Sequence, residues 1–190
     1  AEAKDDAASG DLIVVGYAQV GAESDWRTAN TESFKSTFTE ENGYKLIFDD
    51  AQQKQENQIK AIRSFIQQDV DYIVVAPVVE TGWEAVLQEA QEAGIPVILS
   101  DRQMDVDESL YECWVGGNFS KEGETAGNWL ADYLKAQGRD GEDINIVTLQ
   151  GTIGASAQVG RTEGFGNILK QHDNWKMLDM QTGEFTQAKG

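Results

Sequence analysis

The chain has 190 residues, a length that predicts one domain or two small lobes with enough core to fold without disulfides. Thirty-three Asp and Glu residues against fifteen Lys and Arg residues give a formal net charge of -18. This charge excludes most nucleic-acid-binding roles, because phosphate recognition requires a basic surface, and it would also repel an anionic membrane. No apolar run approaches the roughly 18 residues that a membrane-spanning helix needs.

The chain contains one cysteine, Cys113, and one histidine, His172. A single cysteine rules out an internal disulfide, and these two residues are too few for a zinc site of the Cys/His type. The carboxylates lack the spacing of a calcium-binding loop. We therefore expect neither a metal site nor a cofactor.

Residues 1–10 are small or acidic, with no methionine and no apolar signal core. Such residues bury little apolar surface, so we predict a solvated leader. Two origins fit this segment equally well, namely a tether left after removal of a signal or lipoprotein segment and a cloning boundary.

Strand and helix patterns alternate along the chain from residue 11. The run DLIVVGYAQ is continuously apolar, as expected for a strand buried on both faces. A helix is predicted over 24–43, capped by Ser24 or Asp25 and ended by Gly43. The following elements are a strand at 44–51, a helix at 55–68, a strand at 70–79, a helix at 81–94 and a strand at 95–101. Repeated units of this kind predict a parallel sheet with helices on both faces.

The pattern changes after residue 101. Residues 102–109 are polar and aperiodic, which predicts a loop. The remaining elements are a strand at 110–118, a helix at 121–138, a strand at 143–151, a helix at 154–172 and a strand at 175–185. We place a lobe boundary near 117–120, giving an N-terminal α/β lobe (11–117) and the start of a C-terminal α/β lobe (118–190). So few strands in the second lobe indicate an incomplete sheet and a longer native protein.

In an open parallel sheet, ligands bind beyond the carboxyl ends of the strands, so residues that follow the apolar runs are the candidates. Asp101 and Arg102 are the most informative of them. A carboxylate accepts hydrogen bonds from neighbouring hydroxyls, and a guanidinium donates to two oxygens at once. Trp26 could stack on the apolar face of a sugar. Together these residues describe a polyol site, although two solvated charges in a surface turn are the more common alternative.

Signals for catalysis are weak. The Gly-rich turn QGTIGAS lacks the third glycine of a dinucleotide fingerprint, and so does the turn after the first strand. The single histidine is expected in solvent at a helix end, so no base accompanies a Ser or Cys nucleophile. We therefore expect a binding protein and no enzyme. From position alone, a solvent-facing place on a helix explains Arg161 as well as a ligand contact does. A place in the hydrophobic core explains Phe185 better than a ligand contact does.

Four stretches of the chain resemble the solute-binding proteins of bacterial ABC sugar importers, in the ribose and galactose group. They are VGYAQVGAESDWR, DDAQQKQENQIKAIRSFIQQDVDYIVVAPVVETGWE, GIPVILSDRQMD and IVTLQGTIGASAQVGRTEGF. The last two are general to the group, and the first two are more specific to its galactofuranose-type branch. The resemblance covers nearly the whole chain from Asp11. It implies a type I periplasmic-binding-protein fold, in which two doubly wound parallel-sheet lobes close on one sugar.

The resemblance also assigns sugar-binding residues. Trp26 and Arg27 match an aromatic pair that stacks on the sugar in ribose binders, with Arg in place of the second aromatic. Asp101 and Arg102 match a pair that grips hydroxyls from the first lobe. Arg161 matches an arginine that reaches in from the second lobe. Phe185 matches an aromatic residue of the second lobe. Asn118 and Ser24 are candidate contributors near the same cleft.

The implied function is that of an extracytoplasmic protein that captures a monosaccharide, galactofuranose or a related hexose or pentose, for the membrane permease of an ABC importer. The resemblance implies a monomer that binds no nucleic acid and is periplasmic or lipid-anchored outside the cell. Two alternatives stay open. The effector domain of a LacI-type repressor requires a basic helix-turn-helix before the first strand, where this chain is acidic. A nucleotide-binding doubly wound enzyme requires the complete glycine fingerprint.

Overall fold

The computed structural model describes residues 12–190, so the predicted leader at residues 1–10 lies outside the described residues. The first five strands form one parallel sheet. They are β1 (Ile13–Gln19), β2 (Tyr44–Asp50), β3 (Tyr72–Val75), β4 (Val97–Ser100) and β5 (Cys113–Val115). Their order in the sheet is β2-β1-β3-β4-β5. The winding direction therefore reverses between β1 and β3, which is where open α/β sheets form ligand crevices.

Helices cover both faces of this first sheet, as the sequence predicts. They are α1 (Asp25–Thr37), α2 (Gln55–Gln67) and α3 (Glu84–Glu92). Successive residues of β3 point to opposite faces, with Ile73 and Val75 in the core beside α2 and α3 and Val74 in the core beside α1. Burial on both faces explains why β1 and β3 are continuous apolar runs in the sequence.

The helix predicted over 24–43 is shorter than expected. α1 ends at Thr37, and a separate single turn of 3-10 helix spans Glu40–Asn42. The Thr39 hydroxyl accepts a hydrogen bond from the Asn42 backbone N–H, and the Asn42 side chain donates to the Thr37 carbonyl. These local hydrogen bonds compete with helix continuation. Gly43, in the left-handed region at φ 86°, ends this turn instead of α1.

The second part of the chain contains α4 (Phe119–Ala136), β6 (Ile144–Gln150), α5 (Ser156–Leu169) and β7 (Trp175–Thr182). β6 and β7 form a separate two-stranded parallel sheet. Its inner face packs with α4 and α5 around a small core that includes Leu134, Ile168 and Trp175. On the other face Val147 and Leu149 are 73% and 62% exposed, so this sheet is covered on one side only.

The connection between the two sheets is short. β5 pairs with β4 in the first sheet and ends at Val115, before the end of the strand predicted over 110–118. α4 begins three residues after Gly116, at Phe119, and packs against α5 beside the second sheet. A lobe boundary near 117–120 is therefore kept as our proposal.

No helix within residues 12–190 has the length and apolar character needed to cross a bilayer.

Close packing of α4 on α5 depends on Gly164. A methyl group at this position would lie 1.9 Å from the Ser120 carbonyl oxygen on the neighbouring helix. We expect Gly164→Ala to lower the free energy of unfolding by about 1–3 kcal/mol, because the helices must separate. Gly166 on the same helix has nothing within 4 Å of the corresponding position, so Gly166→Ala is the matched control. Urea denaturation measures both, and equal effects of the two variants would contradict this prediction.

Candidate functional site

Four charged side chains meet at the carboxyl edge of the first sheet. Glu23 lies on the connection from β1 to α1, and Arg27 lies in the first turn of α1. Asp101 and Arg102 directly follow β4. Arg27 Nη2 donates to Asp101 Oδ2 at 2.6 Å, and its Nε donates to Glu23 Oε1 at 2.9 Å. Arg102 Nη2 approaches the same Glu23 oxygen at 3.5 Å. Two positive and two negative groups thus form one cluster with no net charge. We call these four residues the charged cluster.

The charged cluster is largely removed from solvent. Side-chain exposure is 2% for Arg27, 3% for Glu23, 4% for Arg102 and 15% for Asp101. Asp101 is therefore the most exposed member of the charged cluster. Buried charges of this kind are stable only when paired.

Burial and charge act differently on the two arginines. Burial alone would lower the pKa of Arg27, but the charges of Glu23 and Asp101 and their hydrogen bonds raise it above its usual value. Burial lowers the pKa of Arg102 to about 10, and the neighbouring charge of Arg27 acts in the same direction. Both arginines are therefore protonated at neutral pH and remain hydrogen-bond donors.

Arg102 connects the cluster to the rest of the fold. Its Nη1 donates to the Val78 carbonyl at 3.1 Å, in the loop that follows β3. Its guanidinium lies over the ring of Phe185, with 5.1 Å between the guanidinium carbon and the ring centroid. Phe185 follows β7, so this cation–π contact joins the two parts of the chain.

Glu23 is a central member of the cluster that the sequence reasoning missed. Its Oε1 is shared by two arginines, whereas its buried Oε2 has no hydrogen-bond partner among residues 12–190. An unpaired buried carboxylate oxygen is costly and is satisfied by a ligand donor or ordered water. Glu23 precedes Arg27 by four residues, which is the favourable order for an ion pair at a helix start. This spacing could have indicated the role of Glu23.

Asp101 is held in an unusual backbone conformation. Its φ is +65°, in the left-handed region that non-glycine residues seldom adopt. The backbone N–H donates to the Val115 carbonyl, and the carbonyl accepts from Trp114 Nε1. These two hydrogen bonds to β5 stabilise the strained conformation and aim the carboxylate at Arg27.

Two amide side chains, one buried and one half-buried, support the loops that carry the cluster. Gln58 on α2 donates to the carbonyls of Ala18 and Ala76 and accepts from the Val78 N–H. Asn30 on α1 accepts hydrogen bonds from Arg27 and from side chains of β1. Gln58 has the same helical phase as the apolar residues of α2. The sequence therefore indicated that its side chain lies on the buried face of this helix.

Trp26 lies beside the charged cluster and is 58% exposed. The Arg27 guanidinium carbon is 4.8 Å from the centroid of its ring. A large exposed aromatic surface next to buried hydrogen-bonding groups is suited to a ligand that has one apolar and one polar face.

The remaining predicted residues are placed differently. Ser24 and Asn118 act as helix N-caps, accepting from the backbone N–H groups of Arg27 and Lys121. Arg161 lies outside the charged cluster and donates from Nε to Glu122 Oε2 at 2.8 Å. The structure therefore brings together Trp26, Arg27, Asp101, Arg102 and Phe185, and it gives Ser24 and Asn118 structural roles.

Backbone contacts join the two parts of the chain beside this site. The Glu80 N–H donates to the Gly154 carbonyl at 2.9 Å, and the Gln103 N–H donates to Ser156 Oγ at 2.9 Å. Within residues 12–190 no group of three or more His, Cys, Asp or Glu side chains is arranged to hold a metal ion. The site offers aligned donors and acceptors beside an aromatic face, which is the chemistry that binds a neutral polyhydroxylated molecule.

A doubly wound α/β lobe, joined beside a polar site to a second α/β lobe, defines a two-lobe ligand-binding architecture. Residues 15–190 match the family described as periplasmic binding protein domain, so the chain belongs to that family. It is 49% identical to the galactofuranose-binding protein YtfQ of Escherichia coli K12 over 179 residues, which cover 94% of this chain and 54% of that protein.

Two solved structures are similar to the chain. One is a Mycobacterium smegmatis protein in complex with β-D-fucofuranose, with 50% identity and a TM-score of 0.87 over 94% of this chain and 58% of the other. The second is the periplasmic binding protein component of the arabinose ABC transporter of Shewanella sp. ANA-3, bound to α- and β-L-arabinofuranose. It has 50% identity and a TM-score of 0.83 over 93% of this chain and 56% of the other.

These matches confirm the predicted family and the type I periplasmic-binding-protein fold. The chain spans about half the length of the curated relatives it matches, at 54% and 51% for two of them. Relative to these proteins, its second lobe is incomplete, as the small number of strands in the sequence predicts.

Proposed function

We propose that the protein carrying this chain is an extracytoplasmic solute-binding protein that captures a monosaccharide between its lobes and delivers it to the permease of an ABC importer. The observation that carries this proposal is the charged cluster, in which two arginines and two carboxylates are paired beside exposed Trp26. The cluster has no net charge, so a neutral ligand enters it without an uncompensated buried charge. Hydrogen bonds from ring and hydroxyl oxygens to such groups provide orientation and specificity.

The ligand class that we propose is the furanose form of a hexose or pentose. Galactofuranose, fucofuranose and arabinofuranose are named for three relatives that share about half of this chain's residues. Asp101 would accept from sugar hydroxyls, and Arg27 and Arg102 would donate to sugar oxygens. Arg161 and Phe185 are proposed contacts from the second lobe, while Ser24 and Asn118 contribute as caps that fix the loops of the cleft.

Export and attachment belong to the same proposal. Family membership places the protein in the periplasm or outside the cell, and we propose that it acts there as a monomer. The strongly negative charge favours solubility of a monomer through mutual repulsion. Removal of a signal peptide and attachment by a lipid anchor remain proposals that intact-mass measurement of the protein from its native envelope would test.

Direct sugar titration tests the proposed function. The protein at its natural length would be titrated with L-arabinose, D-galactose, D-fucose, D-ribose and D-glucose, with NAD and ATP as controls, by calorimetry and tryptophan fluorescence. We expect saturable binding of one or more sugars that populate furanose rings, and no binding of NAD or ATP. Binding of a nucleotide with no response to any sugar would contradict the proposal.

Trp26→Ala is expected to weaken sugar binding by about 1–3 kcal/mol, the range for loss of a buried aromatic contact at a binding site. The physical reason is that sugar binding covers a ring that is 58% exposed in this structure. The control is Tyr72→Ala, which removes an aromatic side chain that is 40% exposed at the start of β3, at the opposite end of that strand from the charged cluster. Calorimetry on both variants measures the effect, and an equal loss in the control would exclude a stacking role for Trp26.

A further inference from the structure

Glu122 and Arg161 are brought together by the close crossing of α4 and α5. Glu122 lies in the first turn of α4, and Arg161 lies in the second turn of α5. The helices approach so closely at Gly164 that no larger residue fits there without movement. The distance between the two side chains is therefore set by the packing of two helices and is not an accident of a mobile loop.

The guanidinium of Arg161 is fixed by two contacts. Its Nε donates to Glu122 Oε2 at 2.8 Å, and its central carbon lies 5.1 Å from the ring centroid of Phe119. Phe119 is buried, which makes it a stable platform. Because the ion pair uses Nε, the two terminal nitrogens of Arg161 have no partner among residues 12–190 and remain available as a pair of donors.

Arg161 and Phe185 line the same pocket, and the Arg102 guanidinium lies over the ring of Phe185. Arg161 is near enough to Arg102 for its positive charge to lower the pKa of that side chain. The carboxylate of Glu122 also extends to the connection between the lobes, since a methyl group on Gly117 would lie 2.9 Å from its Oε1. Glu122 therefore lies between the connecting segment and an arginine that shares a pocket with Phe185.

We propose that Glu122 is a positioning residue that holds Arg161 ready to donate to the sugar, an inference that rests on the proposed function. The carboxylate has two effects. It fixes the plane of the guanidinium, so that less side-chain freedom is lost when the sugar is bound. It also balances a positive charge that would otherwise face Arg102 across the cleft.

Glu122→Gln tests this role, because glutamine keeps the size of the side chain and removes its charge. We expect sugar affinity to fall about 10-fold, with an unchanged urea midpoint, because the ion pair is half exposed and adds little to stability. The control is Glu124→Gln, which removes the carboxylate paired with Lys121 on the same helix and should leave affinity unchanged.

A double-mutant cycle separates positioning from a general effect of charge. In an Arg161→Gln background, Glu122→Gln should cause no further loss of affinity. The inference is wrong if Glu122→Gln binds sugar as well as the parent, or if its loss is the same with and without Arg161. An Arg161→Gln variant that binds normally would also overturn it, while leaving the sugar-binding function intact. Absence of sugar binding in the parent protein would instead overturn the proposed function itself.

Discussion

Asp101→Asn is expected to weaken sugar binding by at least about 100-fold, because each charge-assisted hydrogen bond contributes about 1.5–3 kcal/mol and Asp101 can accept more than one. Among residues 12–190, the variant also leaves Arg27 with Glu23 as its only charged partner. Asparagine is the informative substitution, because it tolerates the left-handed conformation that Asp101 adopts at φ 65°. Asp101→Ala should abolish binding, since it removes every acceptor and adds backbone strain.

The control for this experiment is another aspartate in the left-handed region. Asp69 follows the end of α2 with a φ of 53° and lies away from the charged cluster. Calorimetry with the best sugar from the titration panel should give parental affinity for Asp69→Asn. If Asp101→Asn bound sugar with the affinity of the parent, the proposed site would be in the wrong place.

The order of strands and helices was predictable from the sequence because local physics determines it. β1 and β3 are buried on both faces, so their apolar runs are continuous and easily recognised. The parallel arrangement follows from the alternation with helices. The end of α1 was not predictable from periodicity, since side-chain hydrogen bonds of Thr39 and Asn42 redirect the backbone there.

The candidate site was predictable only in part. Asp101 and Arg102 were found because they follow a strand directly, and the fold places such residues at the cleft. Glu23 and Gln58 were missed because their importance comes from tertiary contacts. The carboxylate of Glu23 is shared by two arginines, and the amide of Gln58 binds three backbone groups. The sequence carried only local signals of these contacts, namely the four-residue spacing of Glu23 and Arg27 and the helical phase of Gln58.

Ser24 and Asn118 show how a residue type at a strand–helix junction can be explained without a ligand. Both lie near the cleft in sequence, and the resemblance made them candidate contacts. In the structure, each side-chain oxygen accepts a hydrogen bond from a backbone N–H in the first turn of its helix. Serine and asparagine are preferred at this position for that reason alone, so their presence at a strand–helix junction carries little information about a ligand.

Glu23→Gln should lower the free energy of unfolding by about 3–5 kcal/mol, the range observed when one partner of a buried ion pair is removed. Glu23 is 3% exposed and is shared by Arg27 and Arg102. Without it Arg27 keeps its pair with Asp101, whereas Arg102 has no carboxylate within ion-pair distance among residues 12–190. The desolvation cost of both arginines remains after the substitution, while one of the two compensating charges is lost. Urea denaturation followed by circular dichroism at neutral pH measures the difference.

An exposed ion pair supplies the control for Glu23. Arg63 and Glu89 form a bidentate pair at 2.7 and 2.8 Å with side chains 49% and 40% exposed. Glu89→Gln should lower the free energy of unfolding by at most about 1 kcal/mol, although the hydrogen bonds between Arg63 and Glu89 have better geometry than those of Glu23. Replacing Arg102 by methionine in the Glu23→Gln background should restore part of the lost stability, because it removes the charge left without a partner. Equal losses of unfolding free energy in Glu23→Gln and Glu89→Gln would contradict this prediction, because burial of the ion pair would then make no difference to its contribution.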